Sequence, residues 1–138
     1  MIKANNDNER AYLHFFETLS SGDLEKIRAA FHEEAVWQVQ VKGILGEGAH
    51  RGKKAIVDEF LAPVRGMFKP GDPKVTVTSL ASQGPLVIGE CESRGTFADG
   101  RPYENLYVFV LEIKDGKVWR LREYMDSFYI AKLQGLAK

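Results

Sequence analysis

A single cysteine, Cys91, stands in the 138 residues. No disulfide can close within the chain, and a zinc site built from several thiolates is excluded. Cysteine scarcity of this kind fits a cytoplasmic protein. Excess charge is also missing, since 19 acidic residues balance 19 basic ones. Without a net field there is nothing to draw in nucleic acid or an anionic membrane, and neither is expected as a partner. No apolar run approaches the roughly 20 residues of a spanning helix. The first residues, Met1-Ile2-Lys3-Ala4-Asn5-Asn6-Asp7, are polar and lack the apolar centre of a signal peptide. The three histidines have no metal-ligand spacing, so no metal is expected. Internal repeats and low-complexity tracts are absent as well.

What is present reads as one α+β domain over residues 1–138. Tyr12, Phe15, Phe16 and Leu19 follow the i, i+3, i+4, i+7 spacing of one helix face, with Asn6 or Asp7 as cap. Ser20-Ser21-Gly22 ends that helix. Asp23 caps a short second one whose buried side holds Leu24, Ile27, Ala30 and Phe31. Val36–Val41 alternates as a strand. Gly43–Gly52 holds four glycines and reads as a mobile loop. A third helix starts near Lys53, with a kink or break expected at Ala62 because Pro63 follows. After the Pro70-Gly71-Asp72-Pro73 turn come strands over Lys74–Leu80, Leu86–Phe97, Tyr103–Ile113 and Val118–Asp126. Ser127–Leu136 reads as a short helix. Helices first and an antiparallel meander afterwards make an α+β pattern.

Gly89 and Gly95 mark bends in the longest strand, and a sheet bent there is concave. Helices over the concave face leave a cone-shaped space, the kind of apolar cavity that takes a small molecule. Alternation sorts the side chains by face. Val118, Arg120, Arg122, Tyr124 and Asp126 share one side of the last strand; Trp119, Leu121, Glu123 and Met125 share the other. Glu90, Glu92 and Arg94 share a side of the long strand, and Tyr103, Asn105, Tyr107, Phe109 and Leu111 share a side of its neighbour. Period alone does not tell which side faces in.

Gly100-Arg101-Pro102-Tyr103-Glu104-Asn105, Lys114-Asp115-Gly116-Lys117-Val118 and Arg122-Glu123-Tyr124-Met125-Asp126 resemble the SnoaL-like branch of the nuclear transport factor 2-like superfamily. Ser21-Gly22-Asp23-Leu24 and Gly52-Lys53-Lys54-Ala55-Ile56 are similar too, so the resemblance spans most of the chain. It implies a cone-shaped, curved antiparallel sheet with N-terminal helices packed over its concave face. The superfamily includes polyketide cyclases, ketosteroid isomerases and limonene epoxide hydrolases, so fold does not fix reaction. In the epoxide hydrolases a terminal-strand Asp is catalytic, and Asp126 matches it, which turns the Tyr124–Asp126 side towards the cavity. The partner positions, an Arg and an Asp in those enzymes, hold Glu90 and Glu92 here. The water-holding Tyr and Asn correspond to Trp37 and Val39. The isomerase base falls near Val39, and its oxyanion tyrosine near Phe15.

The resulting candidate site takes Asp126, Glu92 and Glu90 as catalytic carboxylates. Arg94, Trp37, Asn105, Tyr107, Tyr124 and His50 are the substrate-binding set. Carboxylates crowded in an apolar cavity, with one proton affinity raised and another lowered, can divide the roles of general acid and base. Against this stand plainer roles: Asp126 as a helix cap, Glu90 and Glu92 as solvated charges, Trp37 and Tyr124 as packing residues. Cys91 points away from Glu90 and Glu92. The expected function is a cofactor-independent acid/base enzyme, of hydrolase, isomerase or cyclase type, acting on a small apolar molecule. The alternative is a non-catalytic ligand-binding or interaction module. A homodimer is expected from the resemblance and from an aromatic sheet surface that includes Trp119 or Phe109.

Overall fold

Asn6 opens the first helix by accepting the Glu9 amide on its side chain, and Glu9 reaches back to the Asn5 amide and to Ser82. This reciprocal cap fixes both the start of the helix and its seat on a later strand. The computed structural model describes residues 2–137. Helix α1 (Asp7–Ser21) ends on Gly22, whose positive φ no β-carbon favours. Asp23 then caps α2 (Leu24–Ala29) by accepting the Glu25 and Lys26 amides. Strands β1 (Phe31–Val39) and β2 (Gly48–Arg51) form a hairpin. A π-helical stretch, Lys54–Leu61, runs into α3 (Ala62–Arg65). Four long strands follow: β3 (Lys74–Gln83), β4 (Leu86–Thr96), β5 (Pro102–Lys114) and β6 (Lys117–Met125). Helix α4 (Ser127–Leu133) closes the order.

The six strands form one curled, unclosed sheet in the order β2-β1-β6-β5-β4-β3. Curvature comes from local irregularities that the sequence chemistry permits. Gly89 lies so close to the Tyr12 hydroxyl that an added β-carbon would sit 2.5 Å from it. Gly95 admits the Asp72-Pro73 turn, with Pro73 3.0 Å from where its β-carbon would be. An extra residue at Thr78 bulges β3, and another at Trp119 bulges β6.

The α1 stripe packs as its spacing predicts: Tyr12, Phe15, Phe16 and Leu19 are all buried on the concave face. Burying each such side chain contributes about 1.5–3 kcal/mol. Phe16 meets Phe109 of β5, and Phe15 meets Phe31 edge-on. The Tyr12 hydroxyl donates to the Phe109 carbonyl at 3.0 Å, so the one polar atom of this stripe is satisfied.

Four local expectations give way to tertiary packing. Phe31 begins a strand instead of ending a helix, because its amphipathic partner is the core under α1. Strand β1 therefore starts five residues early, and it pairs with β6 in parallel while every other pairing is antiparallel. The glycine-rich segment contains strand β2. Pro63 does not break the helix. The wide turn, in which the Ala62 amide bonds back to the Val57 carbonyl, accommodates the missing amide and the ring, and the helix continues to Arg65. Among the described residues, no helix is long and apolar enough to cross a membrane.

Candidate functional site

The concave face of the cone is not fully filled. A cavity of about 550 Å³ remains between the sheet, the π-helical stretch, the segment before β2 and helix α4. Its walls are mostly carbon, from Phe60, Val64, Phe68, Phe97, Met125 and Ile130 among others.

Strand β6 delivers one carboxylate into this space. Its inward set is Val118, Leu121, Glu123 and Met125; the bulge at Trp119 is why Val118 and Leu121 both face in although three residues apart. Glu123 sits opposite Val39 on β1 and Phe109 on β5, two apolar neighbours. It is 6% exposed. The Trp37 indole Nε1 donates to its Oε1 at 2.8 Å. Oε2 has no protein hydrogen-bond partner among the described residues, and the residue lines the cavity. Burial in this apolar place pushes the Glu123 carboxyl up to about 7, and the Trp37 hydrogen bond pulls it down only in part. A carboxyl poised there can both accept and return a proton at neutral pH.

Strand β5 supplies the neutral polar groups. Tyr103, Asn105 and Tyr107 project to the concave side, as their shared parity predicts. The Tyr103 and Tyr107 hydroxyls are hydrogen bonded to each other, and Asn105 Nδ2 donates to the Tyr103 oxygen at 3.4 Å. Tyr107 lies flat on Phe109, ring centres 5.0 Å apart. Burial raises both phenols, Tyr107 well above the ordinary tyrosine range, with the charge of Glu123 adding to the effect. Both are therefore neutral donors at physiological pH.

The candidate carboxylates read from the sequence lie elsewhere. Glu90, Glu92 and Asp126 do come together, with Tyr124, but along an open groove on the convex side of the sheet. The Glu90 carboxylate accepts from Ser79, Glu92 pairs with Arg94, and Arg94 also pairs with Glu104. Asp126 caps α4, accepting the Tyr129 amide at 3.2 Å. The expectation that Asp126, Glu90, Glu92, Arg94 and Tyr124 face the cavity is thus corrected. The parity taken from the epoxide hydrolase likeness is opposite to the parity the sheet adopts. Hydropathy carried the right signal: Trp119, Leu121, Glu123 and Met125 are the more apolar set, and the lone acid in it is the buried one. Of the substrate-binding set, Tyr107 lines the cavity, Trp37 touches it through Glu123, and Asn105 stands behind Tyr103. His50 stacks on Phe60 with its Nε2 2.9 Å from the Gly46 carbonyl oxygen, outside the cavity lining. Phe109 is core, and the Trp119 ring is covered by Arg120 and Lys114, so neither forms the open aromatic surface expected of them.

Comparison with known proteins fits this architecture. A family described as SnoaL-like domain matches residues 12–121. No curated protein matches the chain at a significant level. Among solved structures, TerC co-crystallised with polyporic acid is similar at 23% identity and a TM-score of 0.79, covering 93% of this chain and 98% of that one. An LEH-like epoxide hydrolase from M. tuberculosis is 21% identical with a TM-score of 0.72, covering 94% of this chain and 92% of that one. A protein from Jannaschia sp. CCS1, assigned as a SnoaL-like polyketide cyclase, is 16% identical with a TM-score of 0.75, covering 96% and 95%. At these identities the likeness shows the fold.

Proposed function

The chain belongs to the SnoaL-like domain family, and on that premise we propose that it is a cofactor-independent acid/base enzyme acting on a small, mostly apolar carbonyl compound, with Glu123 as the proton-transfer group. One observation carries the reading: a carboxylate with a free oxygen opens on a mostly apolar cavity, held by a single indole hydrogen bond. The chemistry follows from the groups present. Glu123 takes a proton from the carbon beside a substrate carbonyl. The C–H electron pair forms a C=C bond and the carbonyl π pair moves to oxygen, giving an enolate. Asn105 donates to Tyr103, and the Tyr103 and Tyr107 hydroxyls share a hydrogen bond; when Tyr103 is its donor, the Tyr107 proton is left for that oxygen. A donor so placed favours the charge that develops, in a mostly apolar site. Where the enolate is conjugated with a C=C bond, return of the proton from Glu123 to the far carbon shifts the double bond and isomerises the substrate. Attack of the enolate on a second carbonyl of the same molecule closes a ring, and the proton goes to the new alkoxide. Isomerase and aldol-type cyclase activities therefore suit the site, and isomerase and cyclase assignments occur among its structural relatives.

The direct test is deuterium wash-in at the α-carbon of 2-tetralone, a small apolar ketone, followed by proton NMR. The wild type should accelerate exchange over buffer, and Glu123→Gln should lose on the order of 100-fold or more of that acceleration. A wild type no faster than buffer would leave the cavity as a binding site without chemistry and sink the enzyme reading.

A homodimer is part of the proposal. Ile88, Leu106 and Tyr124 are exposed apolar side chains on the strands of the convex face, and a second copy laid against them would remove that surface from water. Light scattering at micromolar concentration should give a dimer, and Leu106→Glu should give a monomer.

A further inference from the structure

The polar groups of the cavity are not scattered. Tyr107 and Glu123 lie at the buried end, whereas Asp99, Arg101 and Gln134 stand where the cavity meets solvent. Between them the wall is apolar, including Phe68 and Phe97 stacked at 4.5 Å. Among the described residues that line the cavity, Arg101 is the single cation.

Arg101 is held in place by its own turn. Its backbone amide donates to Asp99 Oδ1 at 3.1 Å and its Nε to Asp99 Oδ2 at 2.8 Å. Its guanidinium carbon lies 4.9 Å over the Phe97 ring, which is itself buried against Phe68 and Tyr103. An arginine ordinarily gives up much side-chain freedom on binding a ligand; here the turn and the ring have already restricted it. Asp99 uses the Nε side of the fork, and no acceptor bonds to either Nη among the described residues. The free edge has the planar geometry that receives a carboxylate with two parallel hydrogen bonds.

We propose that Arg101 is a specificity-determining residue that selects substrates bearing a carboxylate, or a comparably anionic oxygen pair, at the end remote from the reacting carbon. The inference rests on the cavity being the substrate site. Charge also sets the orientation. An anion at the buried end would face the Glu123 carboxylate in a low-dielectric wall, while at the mouth it meets the guanidinium edge that Asp99 leaves free. The acid end stays outward and the apolar body, with its acidic C–H, enters towards Glu123. The substrate class is therefore a flat, apolar ketone with an acid tail.

Calorimetric titration with 2-naphthoate and its neutral isostere 2-naphthamide tests this on the full chain. The wild type should bind the acid about 10- to 100-fold more tightly than the amide, the range expected for hydrogen bonds to a charged group. Arg101→Gln should erase that preference, chiefly by weakening naphthoate, and Arg101→Lys should keep part of it, as charge without the fork. Raising the salt concentration should shrink the wild-type preference. Equal binding of the two ligands by the wild type, a preference that survives Arg101→Gln, or no binding of naphthoate at millimolar concentration would each overturn the proposal. Glu123→Gln separates the two readings. If it retains the acid preference while the wild type shows no deuterium exchange, the anion site stands and the proton-transfer reading falls. If exchange is rapid but the preference is absent, the reverse holds.

Discussion

The two faces of the sheet carry the same functional group in opposite settings. On the convex side Glu90, Glu92 and Asp126 share an open groove, each engaged with a hydroxyl, an arginine or a helix amide. On the concave side Glu123 is the one carboxylate at the buried end of a mostly apolar cavity, hydrogen bonded to a single indole. Three solvated carboxylates have ordinary partners; the buried one has a displaced proton affinity and an unused oxygen. Reactivity here is a property of the surroundings and not of the residue type. A displacement of a single position along β6 separates the two outcomes, since Glu123 and Tyr124 point in opposite directions.

That contrast can be broken in several ways. The largest effect should come from the exchange assay: Glu123→Gln loses on the order of 100-fold or more, and Glu92→Gln leaves the rate near that of the wild type. Equal losses would erase the distinction between the faces. Next is packing on a single strand. Phe109→Ala removes a ring that meets Phe16, Trp37 and Tyr107, and should cost about 3–5 kcal/mol in urea unfolding. Glu104→Ala, on the solvent side of β5, should stay within about 0.5 kcal/mol.

The third effect is a pH dependence of stability. The Glu123 carboxyl is raised in the fold from its ordinary 4.5 to about 7. Below 4.5 both folded and unfolded states hold the proton, and the group's contribution is fully present. Between 4.5 and about 7 the unfolded chain has released the proton while the folded one keeps it, so stability is lost as pH rises through this window. The full span is on the order of 3 kcal/mol. Glu9, Glu33 and Asp58 are lowered by their hydrogen bonds and ion pairs and slope the other way, but they are common to both proteins. The difference between wild type and Glu123→Gln, measured by urea unfolding from pH 4 to 8, isolates the buried group. A flat difference would remove its special status. The smallest effect belongs to Asp126→Ala, which should cost about 1 kcal/mol through loss of the α4 cap. Faster amide exchange should be confined to that helix, with deuterium wash-in largely intact.

Much of the fold was legible because its signals are local. The stripe Tyr12, Phe15, Phe16, Leu19 announces the face of α1, and Asp23 announces the start of α2. Asp99-Gly100 and Lys114-Asp115-Gly116-Lys117 place the β4–β5 and β5–β6 turns within a residue or two of where they fall. What escaped depends on distant partners. The helical reading of Phe31 loses to pairing with Val118, and the parallel seat of β1 beside β6 leaves no trace in period or composition. Alternation put Tyr107 and Asn105 on one shared face, and the family likeness assigned them to the cavity. Glu123 was missed because alternation identifies two faces without saying which is interior, and the likeness at Tyr124–Asp126 pointed to the wrong one. The bulge at Trp119 added to this by moving Val118 into the inward set.

The parallel pairing of β1 with β6 has a consequence for how the protein comes to exist. Trp37 and Glu123 meet across 86 positions of chain, so the first strand waits for the last before its inner edge is covered and its indole finds an acceptor. On a ribosome, Glu123 emerges only after α1, α2, β1 and strands β3 to β5. Long-range closure of this kind slows folding, because the entropy of the intervening loop is spent before the contact is gained. Until then β1 presents an open edge rich in Val and Trp, the sort of strand that pairs with the wrong chain. The Trp37–Glu123 contact and completion of the fold thus coincide: a chain with that carboxylate in place is a chain whose six strands are joined.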